Sequence, residues 1–220
     1  MGCVVSNLVM PNFSGLDIAY IKRPIFNNLI QQSTSGKEFR ANYWSYPRYA
    51  ITLQFNFLRS KSYWKDSTQR EYELLTGWLT RMAGSYDNFL ISIPDDSSVT
   101  DMPFGNYTGS TGSFQLQRSL IPSASYVNPQ SPLLYPNIGD GFEPIFDYVG
   151  TPLIKKNGNI ISPQSISSSG LVTVIGSGEG QLTWTGSYYF RVRFDEASVE
   201  FNRILNGVWE ATSVTLVSVK

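Results

Sequence analysis

Residues 43–60 read Tyr-Trp-Ser-Tyr-Pro-Arg-Tyr-Ala-Ile-Thr-Leu-Gln-Phe-Asn-Phe-Leu-Arg-Ser, and this stretch decides the fold class. From Tyr49 onward, apolar and polar residues alternate. A period of two predicts a long, half-buried β-strand, which Pro47 limits at its start. The predicted buried face consists of Tyr49, Ile51, Leu53, Phe55 and Phe57, and the opposite face of Thr52, Gln54 and Asn56.

Further strand patterns on both sides of this stretch predict a mainly β protein. Residues 188–194 alternate in the same way, 214–219 alternate more weakly, and 88–93 form a short apolar run that ends at Pro94. Asn157-Gly158 joins two short apolar runs and is a strong signal for a β-hairpin. We expect the two closing strands, 188–194 and 214–219, to return to the sheet formed by the first part of the chain.

One helix is predicted, over residues 67–83. Asp66 is suited to its N-cap and Gln69 to a capping box, while Gly84 stands where a C′ glycine belongs. Gly77 in its interior suggests close packing at that point. An apolar stripe recurs at helical spacing and predicts packing on a sheet rather than a cofactor site. The stripe consists of Tyr72, Leu75, Leu79 and Met82.

Residues 103–184 have a different composition and are predicted to be a small inserted β module. Six of the chain's 12 prolines lie between 122 and 152, which predicts an extended, irregular segment over 119–151. The runs 171–175 and 181–184 are predicted to pair around the glycine-rich segment 176–180. That segment lacks Lys and precedes a strand, which indicates a turn rather than a phosphate loop. Residues 1–102 and 185–220 are then one domain.

The composition excludes several classes of chemistry. The 220 residues include no histidine and one cysteine, so histidine-based catalysis, a disulfide framework and cysteine-rich metal sites are excluded. Lys plus Arg and Asp plus Glu both number 17, so no basic footprint for nucleic acid is present. Only 15% of residues are charged, against about 25% in an average soluble domain. Such a surface suggests extensive contact with other protein, or alternatively a Ser/Thr/Asn-rich β surface.

Two acidic clusters are the remaining candidates for catalysis or calcium binding. One consists of Asp95, Asp96 and Asp101, and the other of Asp140, Glu143 and Asp147. Paired carboxylates perform acid–base chemistry without histidine in glycoside hydrolysis. Both clusters lie in loops rich in Pro, Gly and Ser, where acidic residues are usually turn formers. We therefore expect no catalytic residues, no bound metal and no cofactor.

The N-terminus matches a lipidation pattern. Met1-Gly2-Cys3-Val4-Val5-Ser6 fits the motif for N-myristoylation, and Cys3 would suit palmitoylation. However, no polybasic run follows, since the first basic residues are Lys22 and Arg23. The competing interpretation is a strand over 3–10. No apolar run is long enough to span a membrane, so a membrane association is kept only as the alternative of a lipidated peripheral protein.

Four further sequence elements span residues 35–219. They are Ser35-Gly36-Lys37-Glu38-Phe39-Arg40 with Trp44 and Arg48; the run 109–116 ending in Phe114-Gln115-Leu116; 170–174 with Leu182-Thr183-Trp184-Thr185-Gly186; and Phe190-Arg191-Val192-Arg193-Phe194-Asp195. Together, and in this order, they resemble elements of a family of bacteriophage tail proteins that includes the distal tail protein of gene transfer agent particles. Arg191 departs from the family, which commonly has Pro at this place.

The resemblance implies a structural virion protein at the distal end of the phage tail. Members form a hexameric ring that joins the tail tube to the hub, baseplate or fibres at the tip, and DNA passes through the lumen. Their core is a tail-tube-like β-sandwich with one flanking helix. The partners implied are further copies of the chain, the tube protein and the hub or fibre proteins, with no specific nucleic-acid binding. Arg40, Arg48 and Arg193 are expected to make hydrogen bonds and ion pairs within or between subunits.

A carbohydrate-binding module at the tail tip is the second interpretation. In that case 103–184 would face the receptor, because Tyr and Trp beside Asp and Asn are suited to stacking against a sugar ring.

Overall fold

A computed structural model of the chain describes residues 7–11, 13, 19–60, 70–119 and 142–219. Over these residues the protein is mainly β and sandwich-like with one helix, as predicted. The elements are β1 (Ala19–Ile25), β2 (Asn28–Gln32), β3 (Glu38–Asn42), β4 (Arg48–Arg59), α1 (Glu71–Arg81), β5 (Phe89–Ile91), β6 (Ser98–Thr108), β7 (Gly112–Gln115), β8 (Gln117–Ser119), β9 (Phe142–Pro144), β10 (Tyr148–Lys156), β11 (Asn159–Ile161), β12 (Ser165–Ile166), β13 (Leu171–Val174), β14 (Glu179–Tyr188), β15 (Phe190–Phe194), β16 (Asn202–Leu205) and β17 (Val208–Ser218).

The chain divides into two compact units. The first comprises Met1–Asn27, Pro47–Ile91 and Phe190–Lys220, and the second comprises Asn28–Tyr46 and Ser92–Tyr189. The module expected at 103–184 falls inside the second unit, which also takes in 28–46.

The first unit contains a six-stranded sheet in the order β1-β4-β17-β15-β5, with β16 also paired to β17. All these pairings are antiparallel. The closing strands β15 and β17 therefore do return to the sheet of β4, as predicted. In the pairing of β15 with β5, Phe190 lies opposite Ile91. The chain thus leaves this sheet and re-enters it at two directly facing residues.

The alternation predicted for β4 holds as far as Phe55 and then changes face. Leu58 is fully buried, whereas Phe57 is 40% exposed. The register explains the change, because Trp209 lies opposite Leu58 while Ala211 lies opposite Phe55. β4 thus has one residue more than its partner here. Such a β-bulge moves the following side chains to the other face, so the assignment of Phe57 to the buried face was wrong.

Helix α1 is shorter than the predicted 67–83. It begins at Glu71, after Arg70, which makes no side-chain capping hydrogen bond. The predicted capping residues Asp66 and Gln69 lie outside the described residues. Of the predicted stripe, Leu75 and Met82 are buried, and Tyr72 and Leu79 are half-buried.

The helix packs on aromatic residues of the sheet, as its stripe predicted. The ring of Tyr72 stacks on Trp209 at 4.6 Å, and Trp78 meets Phe89 edge-on at 5.7 Å. Trp78 is 8% exposed and was missed as a core residue. Its position three residues after Leu75 places it on the edge of the same stripe.

The C-terminus of α1 ends in a Schellman motif that is displaced by one residue from the prediction. Ala83 N–H donates to the Thr80 carbonyl, and Gly84 N–H donates to the Leu79 carbonyl. With Met82 as C-cap, the left-handed C′ residue is Ala83 (φ 50°), and Gly84 (φ 64°) follows it at C″. Gly77 is exposed, and a Cβ there meets no atom within 4 Å, so the expected close packing at Gly77 was wrong.

The second unit contains a four-stranded sheet (β11-β10-β14-β6), a three-stranded sheet (β12-β13-β7) and two strand pairs, β2-β3 and β8-β9. The predicted hairpin at Asn157-Gly158 is confirmed between β10 and β11. Both turn residues have positive φ, 50° and 80°, as a type I′ turn requires. Of the predicted irregular segment 119–151, residues 142–144 and 148–151 form strands, and 120–141 lie outside the described residues.

The predicted pairing of 171–175 with 181–184 was wrong. Both runs are strands, but β13 pairs with β7 and β12, whereas β14 pairs with β10 and β6. The segment between them turns at Gly176 (φ 147°) and Gly178 (φ 82°) and takes the chain from one sheet to another. Alternation within a strand identifies its buried face but not its partner, so proximity in sequence was misleading here.

At the N-terminus, only part of the predicted strand 3–10 is described. Val9 makes an isolated parallel bridge to Leu90, with Met10 N–H donating to the Leu90 carbonyl at 2.8 Å. Residues 1–6, including the lipidation motif, lie outside the described residues. Within the described ranges, no helix has the length and apolar character needed to cross a membrane.

Glu71 joins the start of α1 to the end of β4. Its carboxylate accepts hydrogen bonds from the backbone N–H of Arg59 at 3.2 Å and from the Arg59 guanidinium. Burial by itself would raise the pKa of Glu71, but the hydrogen bonds and charge of Arg59 outweigh it and lower the pKa below the ordinary 4.5. The carboxylate is therefore held in its ionised form.

Two glycine substitutions, Gly77→Ala inside α1 and Gly84→Ala just after its end, are expected to have opposite effects on stability. Gly77→Ala should raise the free energy of unfolding by about 0.5–1 kcal/mol, because the site is open and alanine is the better helix former. Gly84→Ala should lower it by about 1–2 kcal/mol, because φ is positive and the new Cβ would lie 2.8 Å from the Ala197 carbonyl oxygen. Urea unfolding measures both, and a destabilised Gly77→Ala would contradict the open site.

The Glu71–Arg59 pair predicts a pH-dependent stability difference. A lowered folded-state pKa stabilises the protein above about pH 4.5, and this contribution is lost as the pH falls through the folded-state value. Glu71→Gln should therefore reduce the free energy of unfolding by about 1–3 kcal/mol near pH 7 and by less near pH 3. Urea unfolding of both proteins at the two pH values gives the comparison. An equal difference at both would show that ionisation of Glu71 does not contribute.

Candidate functional site

The first sequence element forms an exposed hairpin. β2 and β3 pair around the loop Thr34-Ser35-Gly36, and all ten strand residues are exposed. Ser33 N–H donates to the Lys37 carbonyl at 2.8 Å, and Gly36 N–H donates to the Ser33 carbonyl at 2.9 Å. Gly36 has φ 80°, the left-handed conformation that closes a three-residue hairpin loop. Ser35 and Gly36 therefore set the geometry of this turn.

Glu38 and Arg40 form an ion pair on one face of β3. The Arg40 Nε donates to a Glu38 carboxylate oxygen at 2.9 Å, and both side chains are exposed to solvent. Trp44 follows the strand and is half-buried, and its backbone N–H donates to Asn42 Oδ1 at 3.2 Å. Arg48 is the half-buried first residue of β4.

The fourth element, Phe190 to Asp195, is a core strand with its two arginines turned outward. The side chains of Phe190, Val192 and Phe194 are buried. Arg193 donates from Nη1 to the Phe194 carbonyl at 2.8 Å, and Asp195 is exposed. This element therefore supplies packing to the six-stranded sheet.

Arg191 uses both terminal nitrogens of its guanidinium for hydrogen bonds within the first unit. Nη1 donates to Asn88 Oδ1 at 3.1 Å, and Nη2 donates to Asn7 Oδ1 at 2.8 Å. The side chain thus holds the N-terminal segment beside the residue that precedes β5.

Phe114 and Trp184, from the second and third elements, are packing residues of the second unit. Trp184 is fully buried and donates from Nε1 to the Gln117 carbonyl at 2.7 Å. The half-buried ring of Phe114 occupies the space beside Gly105, where a Cβ would lie 2.4 Å from it. Tyr107 is also buried. The rings of Trp184 and Tyr107 therefore belong to the core of this unit.

Arg118 is the centre of a buried polar cluster that the sequence did not reveal. It is 2% exposed and lies on β8. Its Nη1 donates to Asp96 Oδ1 at 2.5 Å, while Nε and Nη2 donate to Glu143 Oε2 at 3.1 and 2.7 Å. One guanidinium thus binds two carboxylates, one from the loop before β6 and one from β9.

Tyr188 completes this cluster from the end of β14. Its hydroxyl accepts a hydrogen bond from Arg118 Nη1 at 3.2 Å and donates one to Asp96 Oδ1 at 2.6 Å. Burial is the main cause of a strongly raised pKa for the Tyr188 phenol, and the hydrogen bond to Asp96 adds to it. The hydroxyl therefore stays protonated and serves as a donor.

The two acidic clusters of the sequence are thus rearranged by the fold. Asp96 from the first and Glu143 from the second share Arg118, and Asp101 instead binds the Lys155 ammonium at 2.7 Å. The hydrogen bond from Lys155 lowers the pKa of Asp101. Asp140 lies outside the described residues. Among those that are described, no group of three or more acidic or Cys side chains is placed to hold a metal ion.

The cluster left one readable signal in the sequence. Phe114, Leu116 and Arg118 are spaced by two residues, so the alternation that buries Leu116 also turns Arg118 inward. A buried arginine needs carboxylate partners. Those partners are 22 and 25 residues away, and no local pattern links them to Arg118.

A comparison with family models finds no match for the chain, and a comparison with curated proteins finds none either.

Breaking the Arg118 cluster is expected to destabilise the protein strongly. Arg118→Leu would leave two carboxylates without their cation and should lower the free energy of unfolding by about 3–5 kcal/mol. Tyr188→Phe removes one hydroxyl with two hydrogen bonds and should cost about 1–3 kcal/mol.

Arg203→Leu is the matched control, because Arg203 is an exposed arginine on a strand of the first unit. It should change the free energy of unfolding by less than about 0.5 kcal/mol. Chemical unfolding followed by tryptophan fluorescence measures all three variants. Equal effects of Arg118→Leu and Arg203→Leu would show that the cluster is not important for stability.

Proposed function

We propose that this protein is the distal tail protein of a bacteriophage or a related particle. As a structural virion protein, it forms a ring of six copies. The ring joins the tail tube to the hub, baseplate or fibres at the tip, and DNA passes through its lumen. The proposal assigns the chain no reaction and no cofactor.

The order of the four sequence elements along one mainly β chain carries this proposal. Each element also has a definite place in the structure: a hairpin turn and strand for 35–40, a strand beside Gly105 for Phe114, and core strands for Trp184 and for 190–194. Three of the four thus supply packing of the fold, and the first lies on the surface.

The composition of the surface is suited to a subunit that is enclosed by other subunits. Formal net charge is zero, so copies do not repel one another at long range. Contacts with other subunits or tail proteins would cover several large apolar side chains that are more than half exposed. They are Ile21, Phe26, Ile30, Phe39, Tyr43, Tyr86, Ile160, Ile175 and Leu205.

Neutrality is also suited to a channel through which DNA must move. Each cationic side chain that neutralises a phosphate adds to affinity for DNA and slows its passage. A ring of chains with 17 basic and 17 acidic residues each has no excess of positive charge to hold the duplex.

Co-expression with the tail tube protein of the same particle tests this proposal. Native mass spectrometry and negative-stain imaging are expected to show rings of six 24.7 kDa chains, alone or on the end of tube protein. Tube protein expressed alone is the control. A chain that stays monomeric at high concentration, and binds neither tube nor hub protein, would contradict the proposal.

A further inference from the structure

Both faces of the β2–β3 hairpin are exposed. One of them, the apolar face, has no charged residue, whereas the other carries Glu38 and Arg40 together with the exposed Ile30. Cross-strand neighbours are Leu29 with Ala41 and Gln31 with Phe39, so these four side chains share one face. Phe39 is 67% exposed. A two-stranded hairpin is at best marginally stable in water, and an apolar face on three or more strands is needed for independent stability. The two strands of this hairpin are therefore suited to pairing with further strands in a larger sheet.

The edges of this hairpin lack most of the features that prevent strands from associating, apart from the two charged side chains of β3. Proteins protect exposed edges with charged residues, Pro and bulges. One outer strand of each of the two larger sheets, β1 and β6, carries a proline (Pro24 and Pro103), and the pairing of β6 is interrupted by register shifts. β2 and β3 contain no Pro, no Lys and no Gly, and their five pairs run without interruption.

The hydrogen bonds of the turn determine which backbone groups of β3 point outward. Ser33 N–H donates to the Lys37 carbonyl, so the polar groups of Lys37 face β2. In an antiparallel pair these directions alternate along the strand. The backbone groups of Phe39 therefore also face β2, whereas the backbone N–H and C=O groups of Glu38 and Arg40 point to the other, open edge of β3, where no strand within the described ranges pairs.

The open edge of β3 is complementary to itself in one register. If two copies of β3 run antiparallel with Phe39 opposite Phe39, Glu38 of each copy lies opposite Arg40 of the other. Those are the residues whose backbone groups point outward, so they exchange the hydrogen bonds of the new ladder. Shifting the centre to Arg40 or to Glu38 would place like charges opposite each other, which is destabilising.

We infer that β3 pairs in this register with β3 of a second copy of the chain, forming a continuous four-stranded sheet across the two hairpins. The apolar faces then form one surface with the two Phe39 rings at its centre. The contact has two-fold symmetry, whereas neighbours in a ring are related by rotation about the ring axis. It therefore goes beyond the proposed ring and joins copies from two facing rings, or two free subunits.

Charge reversal tests the register directly. Glu38→Arg and Arg40→Glu each place like charges opposite one another twice per dimer, and each should weaken self-association by about tenfold. An equimolar mixture of the two variants restores opposite charges in both pairs, so it should associate about as tightly as the unmodified chain. Sedimentation velocity over a range of concentrations gives the dissociation constants, and circular dichroism checks that both variants are folded.

Mutual rescue distinguishes this inference from a structural role of the Glu38–Arg40 ion pair, because that pair is broken in both variants whether or not they are mixed. A mixture that associates no better than the single variants would overturn the inference. Rings are scored in a separate sample, the unmodified chain with tube protein, so rescue without rings would contradict only the proposed function, and rings without rescue would contradict only the hairpin pairing.

A disulfide trap gives a second test. In a Cys3→Ser background, Phe39→Cys places two thiols opposite each other at a non-hydrogen-bonded pair, where Cα atoms are about 4.5 Å apart and within disulfide range. Mild oxidation should yield a covalent dimer on non-reducing electrophoresis. Ile160→Cys is the matched control, since Ile160 is 68% exposed on β11. Equal dimer yields from both variants would overturn the inference.

Discussion

The pairing of β4 with β17 is the constraint on which the first unit depends. Residues 48–59 and 208–218 come from distant parts of the chain and lie side by side at the centre of the six-stranded sheet. Because β15 must then fit between β17 and β5, the chain that leaves at Ile91 has to return opposite it at Phe190. The residues in between, Ser92 to Tyr189, belong to the second unit together with Asn28–Tyr46. Because Ile91 and Phe190 face each other, a long segment can be inserted between them without disturbing this sheet.

Inside the second unit, the buried guanidinium of Arg118 links segments that are distant in sequence. Arg118 brings together three segments that are far apart in sequence, through Asp96, Glu143 and Tyr188. A buried ion cluster of this kind is costly to desolvate, so it gives less net stability than its hydrogen bonds suggest, but any arrangement that separates its members is strongly disfavoured. The cluster therefore keeps β8, β9 and β14 packed next to one another. Acidic residues that would otherwise suggest acid–base chemistry or calcium binding are used for this purpose.

The exposed β2–β3 hairpin is the part of the fold that is most relevant to the proposed role as a ring subunit. Its turn carries the most exposed of the four family-like elements, and its apolar face is not covered by the part of the chain that the structure describes. A subunit of a ring or of a pair of rings needs surfaces of this kind, where backbone edges and apolar side chains are available together. The elements 182–186 and 190–194 lie in core strands, the first in the second unit and the other in the first unit. Of the sequence elements that resemble the tail proteins, the exposed one is thus available for contacts with other chains, and the buried ones stabilise the fold.

The sequence by itself determined the mainly β class, the buried face of β4 up to Phe55, the helix that packs on a sheet and the Asn157-Gly158 hairpin. Each of these depends on the period of apolar residues or on the φ preference of one or two residues, which are local properties. Only the tertiary structure decided the bulge that turns Leu58 inward in place of Phe57, the separate sheets of β13 and β14, and the partners of Arg118. These features depend on which distant strand lies alongside. Alternation states which face of a strand is buried, but the identity of its neighbour follows from long-range packing that no local pattern encodes.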